Sequence, residues 1–571
     1  MKPLPNAHSQ LVVDAIKAAR IAGDLPEFDI PDVPINLPKN PEHGDYASPI
    51  ALALAKVARK KPLEIAEIIV KHLPSAAFLE AAEVLPPGFI NFRLDQQWLK
   101  DQVNTIIVEG EDLFKLELGA GKRAQVEFVS ANPTGPLHIG RSRGAVIGDT
   151  IARILEATGY EVEREYYFNN AGVQMRNLGE SLKLRYLQAL GKDVTIPGDE
   201  DKAFYQGDYL VDYANTLVEE KSDSLVDADW TPFKEYAEKR MFENIKATLQ
   251  RIDIQHNVFF NENSLYDSRA IWDVLEELQQ NGHIYESTVR ESESEDVKAQ
   301  NAELKPAQWF RSTTFGDAED RVLVKGDGEP TYTLPDIAYH KNKIERGFDL
   351  LVNILGADHF VQHQVVKFGV QALGLDVSKI NVIIIQLVRM IRNGEEVKMS
   401  TRKGNYDTLD DLIDQTSTDA VRYILLARSA NSRIDFDLDL AVKQTNDNPV
   451  YYIQYALVRC AGIMREAEAR GFNDDDADLS LLGDEEMTFI RKMLELGEQL
   501  DYAATNLTPH TIAFYALDLA NAFHPMYDKV RVMGDTVPDD LAKARLRYYK
   551  AAQTTFKRVL RLMGMTTPDR M

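Results

Sequence analysis

The chain has 571 residues, too many for one hydrophobic core, so roughly two to four domains are expected. Its formal net charge is −24, which argues against a generic nucleic-acid binder, and its single cysteine, Cys460, excludes an intramolecular disulfide or a multi-cysteine zinc site. No apolar run approaches the ~18 residues of a membrane span, and a reducing, cytoplasmic setting is expected.

Residues 1–112 read as a separate α+β domain. The stretches 11–22, 50–58 and 63–73 have helical spacing, and Pro86-Pro-Gly-Phe-Ile-Asn-Phe92 reads as a turn into a strand. His43 and Asp45 fall in the polar loop 40–46 and read as loop residues.

Between Gln125 and Asp149 the pattern changes twice. Val126, Phe128 and Val129 are strand-like, and Asn132-Pro-Thr-Gly-Pro136 is a run of turn formers. From Ile139 onward Ala145, Val146, Ile147, Ile151 and Leu155 recur at helical intervals, with Gly140, Gly144 and Gly148 keeping one side slim. Strand, tight turn and helix in that order place the turn at the carboxyl edge of a sheet, where nucleotides bind. The free N–H groups of the helix start suit a phosphate.

Residues 113–440 read as a doubly wound α/β domain. A second strand runs from about 163 into Asn169-Asn-Ala-Gly172. The stretch 175–310 is polar and mostly helical and reads as an insertion. The sheet resumes with Arg321-Val-Leu-Val324, the buried-strand run Leu350-Leu-Val-Asn-Ile-Leu355, and 381–385. Tyr332 and Asp336 lie four apart at a helix start and share a face. Arg392-Asn-Gly394 is a hairpin turn, followed by the basic loop Lys398-Met-Ser-Thr-Arg-Lys403. Residues 441–571 read as all-α, four or five amphipathic helices. Seven basic residues from Lys543 to Arg561, with no acidic one among them, can follow phosphates or form a solvated face.

Ser130-Ala-Asn-Pro-Thr-Gly-Pro-Leu-His-Ile-Gly140 resembles the first signature of class I aminoacyl-tRNA synthetases, and its lead-in resembles the arginine-specific family. Lys398-Met-Ser-Thr is similar to the second class signature, and Asn448-Pro-Val-Tyr-Tyr-Ile-Gln-Tyr455 is similar to a string of that family's C-terminal domain. Arg141 stands where the class carries a second His, and Thr401 where it carries a final Lys. The resemblance covers essentially the whole chain in order. It implies a Rossmann-like catalytic domain with a helical insertion, an N-terminal domain that binds the tRNA elbow and a helical anticodon-binding domain.

The resemblance also implies roles. His138, Arg141, Lys398, Ser400, Arg402 and Lys403 would act on the phosphates, with Arg141 either reaching them or crowding the adenine. Pro133, Gly135, His138, Gly140, Gly144 and Met399 would line the ATP site. Glu127, Glu262, Tyr332 and Asp336 would hold the arginine guanidinium, Asn132 the amino-acid end, and His359 would close the pocket. Phe89 and Asn91 would meet the tRNA elbow, and Tyr451, Gln454 and Arg459 the anticodon region. The implied substrates are arginine, tRNA(Arg) and ATP with Mg²⁺, with no tightly bound metal, no membrane partner, a monomeric chain, and activation of arginine that requires bound tRNA. The competing readings are another class I synthetase, a non-catalytic tRNA-binding paralogue suggested by Arg141 and Thr401, and a small-molecule nucleotidyltransferase.

Overall fold

The computed structural model describes residues 2–197, 204–301, 303–397, 408–534 and 536–571. They divide into two units: Met1–Leu118 with Ala157–Gly159 and Lys443–Met571, and Gly119–Glu156 with Tyr160–Val442. No helix among the described residues is long and apolar enough to cross a membrane.

In the first unit, strands β1 (Tyr46–Ser48), β2 (Leu79–Leu85) and β3 (Phe89–Leu94) form an antiparallel sheet with β3 in the centre. Ile90 and Phe92 of β3 are buried with Val12, Ile16, Ile50, Leu54, Ile65 and Ile69 from the helices Leu4–Ile21, Ile50–Ala58 and Pro62–Lys71. The same unit holds four long C-terminal helices, Pro449–Ala469, Asp484–Asn506, His510–Lys529 and Asp539–Leu562. Tyr549, Ala552, Phe556 and Val559 repeat at helical spacing and are all buried.

The two ends of the chain meet inside this unit. Tyr46 Oη donates to Glu498 Oε1 at 2.5 Å, and Arg491 pairs with Asp45 at 2.6 Å. Gly497 lets the Phe114 ring approach so closely that a Cβ there would lie 2.7 Å from a ring carbon. Several members of the basic run are paired within this unit, Arg558 and Arg561 with its N-terminal part. Arg545 pairs with Glu486 at 2.8 Å, Arg547 and Lys550 with Asp474, and Arg561 with Glu111, while Arg558 Nε donates to the Leu113 carbonyl at 3.0 Å.

The strands of the second unit are, in chain order, β4 (Arg123–Glu127), β5 (Glu161–Phe168), β6 (Val258–Asn261), β7 (Ile284–Ser287), β8 (Ala307–Phe310), β9 (Arg321–Val324), β10 (Leu350–Gly356), β11 (Ile380–Ile385), β12 (Val388–Arg392), β13 (Glu395–Glu396) and β14 (Ile434–Asp437). Five of them form a parallel sheet in the order β11-β10-β4-β5-β6. The chain winds outward from β4 through β5 to β6, then crosses to β10 and β11 on the other side. The order therefore reverses between β4 and β10, and a crevice opens at their carboxyl ends. The stretch 175–310 does more than insert: it supplies β6 to this sheet, and β7 and β8 to a separate antiparallel sheet completed by β9. Val258-Phe-Phe-Asn261 is too short to give a strand period of its own, so pairing with β5 decides it. The helix Ile139–Ala157 packs so closely on β4's continuation that a Cβ at Gly148 would lie 2.3 Å from the Phe128 side chain. The β12–β13 hairpin turns at Asn393 and Gly394, both with positive φ.

Candidate active site

The chain leaves β4 through a sharp bend. Val129 and Ser130 have φ of 72° and 39°, a conformation that non-glycine residues rarely adopt. Hydrogen bonds hold the bend: Ser130 Oγ accepts from Tyr167 N–H at 3.2 Å and donates to Glu127 Oε1 at 2.9 Å, and Tyr166 Oη donates to the Ala131 carbonyl at 2.8 Å. Asn132 spans to the next strand, accepting from Asn169 N–H at 2.9 Å and donating to Gln174 at 2.9 Å.

His138 lies exposed at the end of the turn. Its Nδ1 accepts the Gly140 N–H at 2.9 Å, so the neutral ring carries its proton on Nε2, which is left to donate. A Cβ at Gly140 would come within 3.2 Å of that Nδ1. Thr408 bridges His138 through the backbone, and Leu409 N–H donates to the Leu137 carbonyl at 2.8 Å. Gly135 is partly open, while Pro133 is buried. Gly144 is also buried, its missing Cβ facing Ile385 at 3.2 Å and Ile354 at 3.7 Å. It spaces helix from sheet and presents no backbone to a ligand. The expected Lys398, Met399, Ser400, Arg402 and Lys403 lie outside the described residues.

Beside this turn lies a cavity of about 300 Å³ at the switch point. All six residues expected around arginine, Glu127, Asn132, Glu262, Tyr332, Asp336 and His359, line it, and so does Arg141. They are not equivalent. Glu127 is already neutralised: Lys343, 0 % exposed, places Nζ 2.6 Å from its Oε2, 2.7 Å from Asn353 Oδ1 and 4.2 Å from the centre of the Tyr339 ring. Glu127 thus carries one of the protein's own cations while still lining the cavity.

Asp336 and Glu262 make no ion pair among the described residues. Asp336 accepts one hydrogen bond from Gln362 Nε2 at 2.7 Å, and Glu262 accepts from Tyr167 Oη at 2.7 Å and Asn169 Nδ2 at 2.9 Å. Burial, reinforced by the charge of Glu262, pushes Asp336 up to about 7, and burial raises Glu262 as well. His340 and His363 stand behind them, held neutral by burial and, for His363, lowered to about 4. Tyr332, 83 % exposed, immediately precedes the helix Thr333–Glu345 and stands at the rim. A half-buried and a buried carboxylate with no cation of their own among the described residues suit a planar, bidentate cation. Sequence reasoning missed Gln362, Tyr167 and Lys343; only Tyr167 carried a signal, lying on the strand that ends in Asn169-Asn-Ala-Gly172.

The residues expected at tRNA fare unequally. Phe89 is half-buried at the start of β3. Asn91 is 5 % exposed on the central strand, its amide donating to the His43 carbonyl at 2.8 Å. Gln454 is likewise buried, bonding to Thr566 Oγ1 at 3.2 Å. Both amides point inward and offer nothing to an RNA base. Tyr451 stacks on Tyr455 at 5.7 Å, and the Arg459 guanidinium lies 4.7 Å from the Tyr455 ring centre and 4.5 Å from that of Tyr527.

A doubly wound parallel sheet with this His-Ile-Gly turn at its switch point defines the catalytic domain of a class I aminoacyl-tRNA synthetase. Residues 102–434 match the class I (R) tRNA synthetase catalytic domain, 7–94 the arginyl tRNA synthetase N-terminal domain and 453–571 the DALR anticodon binding domain. The chain belongs to the arginyl-tRNA synthetase family. It is 41% identical over 574 residues to the arginine–tRNA ligase of Desulfitobacterium hafniense (99% of this chain, 98% of that protein) and 41% identical over 566 residues to that of Bacillus subtilis (98% of each). The Thermus thermophilus arginyl-tRNA synthetase shares its fold, with a TM-score of 0.75 at 21% identity covering 100% of both chains.

Proposed function

We propose that the chain joins arginine to tRNA(Arg) in two steps within this crevice. An arginine carboxylate oxygen attacks the α-phosphorus of ATP, forming arginyl-adenylate and expelling diphosphate. A ribose hydroxyl at the tRNA 3′ end then attacks the arginyl carbonyl carbon, and AMP leaves. One observation carries the reading: the half-buried Asp336 and the buried Glu262 line one cavity next to the His138 turn, with no cation paired to either among the described residues.

The guanidinium goes between these two carboxylates with Tyr332 folding over it, and Asn132 faces the amino-acid end. Glu127 holds Lys343 in place. ATP arrives as its magnesium complex, the ion held by the phosphates. The free Nε2–H of His138 and the charge of Arg141 act on phosphate oxygens, where negative charge grows as diphosphate departs. ATP–diphosphate exchange with each amino acid, with and without tRNA, tests the reading. Only arginine supports exchange, and only when tRNA is present; exchange with another amino acid, or none at all, refutes it.

The charge state of Asp336 gives a second result. Binding arginine near pH 7 converts a partly protonated Asp336 into a paired carboxylate and so releases protons. Titration calorimetry in buffers of different ionisation enthalpy reads this release directly. It vanishes above pH 9, and the KM for arginine climbs as pH falls below about 7. Binding without proton release at pH 7 refutes the assignment.

At the tRNA elbow, Phe89 is left to stack without help from Asn91. Phe89→Ala weakens tRNA binding by about 1–3 kcal/mol, the range for one stacked base, without changing its salt dependence. Filter binding across a salt series checks this, and unchanged affinity assigns Phe89 to the core.

A further inference from the structure

A buried guanidinium ordinarily meets a carboxylate. Arg143 is 0 % exposed, yet it makes no ion pair among the described residues. Nη1 donates to the carbonyls of Gln386 at 2.9 Å and Ser432 at 2.6 Å, and Nη2 donates to that of Ser429 at 2.8 Å. Loop carbonyls normally turn to water or to backbone N–H groups. Here those of two separate segments converge on one interior cation. Such bonds are charge-assisted, and the planar fork of arginine spreads its donors over two nitrogens held in a fixed geometry. Burial lowers the Arg143 pKa to about 10, so the group stays charged at neutral pH.

The acceptors stand at a structurally decisive place. Gln386 lies two residues before Val388 and Ser432 two residues before Ile434, and Val388 and Ile434 form the first register pair of the parallel strands β12 and β14. The Gln386 N–H also donates to the Ala430 carbonyl at 3.0 Å, which knots the two strand roots together. β12 turns through the hairpin into β13, which ends at Glu396, two residues before Lys398. Beyond the second signature, Thr408 and Leu409 are bonded to His138 and Leu137. The backbone thus ties one flank of the second signature to the first. On the other flank, Arg143 links the strand roots to the helix that follows His138.

We propose that Arg143 is a positioning residue for adenylate formation: it fixes the root of the β12–β14 pair, and with it the strand leading into the second signature, to the helix Ile139–Ala157. The inference rests on the synthetase reading above. It predicts a loss of rate without a loss of arginine binding, because Asp336 and Glu262 stand on other elements. A residue serving packing alone would affect both together, or neither.

The test uses full-length Arg143→Met and Arg143→Lys. Lysine keeps the charge but gathers its donors on one nitrogen and loses the second arm that meets Ser429. In arginine- and tRNA-dependent exchange, kcat falls about 10- to 100-fold in Arg143→Met and less in Arg143→Lys, the scale of a roughly 1 Å misplacement. The dissociation constant for arginine, read by calorimetry, stays at the wild-type value. Hydrogen exchange accelerates in 388–392 and 434–437 and is unchanged in 123–127 and 350–356. If Arg143→Met does not fold, Arg143→Lys decides by the same readings. Wild-type kcat in either folded variant overturns the proposal, and so does weakening of arginine binding in step with kcat. A wild-type enzyme without arginine-dependent exchange overturns the synthetase reading instead.

Discussion

Asp336→Asn raises the KM for arginine by about 100-fold and leaves that for ATP unchanged, since truncating one partner of a buried charge pair costs on the order of 2–5 kcal/mol. Asparagine keeps the shape and can still meet Gln362, so the loss isolates the charge. Glu262 remains, which is why binding weakens and does not vanish. The same substitution stabilises the empty protein. Asp336 titrates near 7 in the fold against an ordinary value of 3.8, so its protonated form is favoured by folding. The stability it contributes is complete below 3.8 and is lost as pH rises through about 7. Without arginine, Asp336→Asn therefore melts higher than wild type at pH 8 and level with it near pH 4. A variant with equal losses for both substrates places the guanidinium elsewhere, and one with no gain at pH 8 shows that Asp336 is not raised in the empty protein.

His138→Ala lowers kcat for exchange by about 10²–10³, the scale of removing one preorganised donor from developing charge. The dissociation constant for arginine holds, because His138 stands on the turn and not among the carboxylates. His138→Gln tests the tautomer argument: its side-chain N–H can substitute for Nε2–H and recovers part of the rate. If His138→Ala keeps near-normal exchange, the phosphate role belongs to Arg141 or to the basic loop.

Local pattern made much of this architecture legible. Turn chemistry and a change of period located the β4–turn–helix unit, and continuous apolar runs located β10 and β11. The resemblance of the signatures brought together Glu127, Asn132, Glu262, Tyr332, Asp336 and His359, all of which line one cavity. What stayed hidden depends on partners distant in the chain. Nothing local shows that Glu127 already pairs with Lys343, 216 residues away. Asn91 and Gln454 are polar by sequence, but their neighbours turn them inward. Within the run from Lys543 to Arg561, the partners of Arg545, Arg547, Lys550 and Arg561 are Glu486, Asp474 and Glu111, all far from it in sequence. Arg143 gave no signal, since nothing local tells a cation serving three carbonyls from one facing water.

The joining of the two chain ends has a consequence for biosynthesis. The first 118 residues leave the ribosome early, but the helices that take up Tyr46, Asp45 and Phe114 begin only after residue 443. Making the stretch between them takes on the order of 15–65 s at common elongation rates. Throughout that interval the nascent N-terminal domain presents a docking face with nothing to cover it, while the nucleotide-binding sheet is free to fold. A ribosome that stalls within the sheet strands that face uncovered, which makes the N-terminal domain the part of the newborn chain most exposed to chaperones and to mispairing with its neighbours on a polysome.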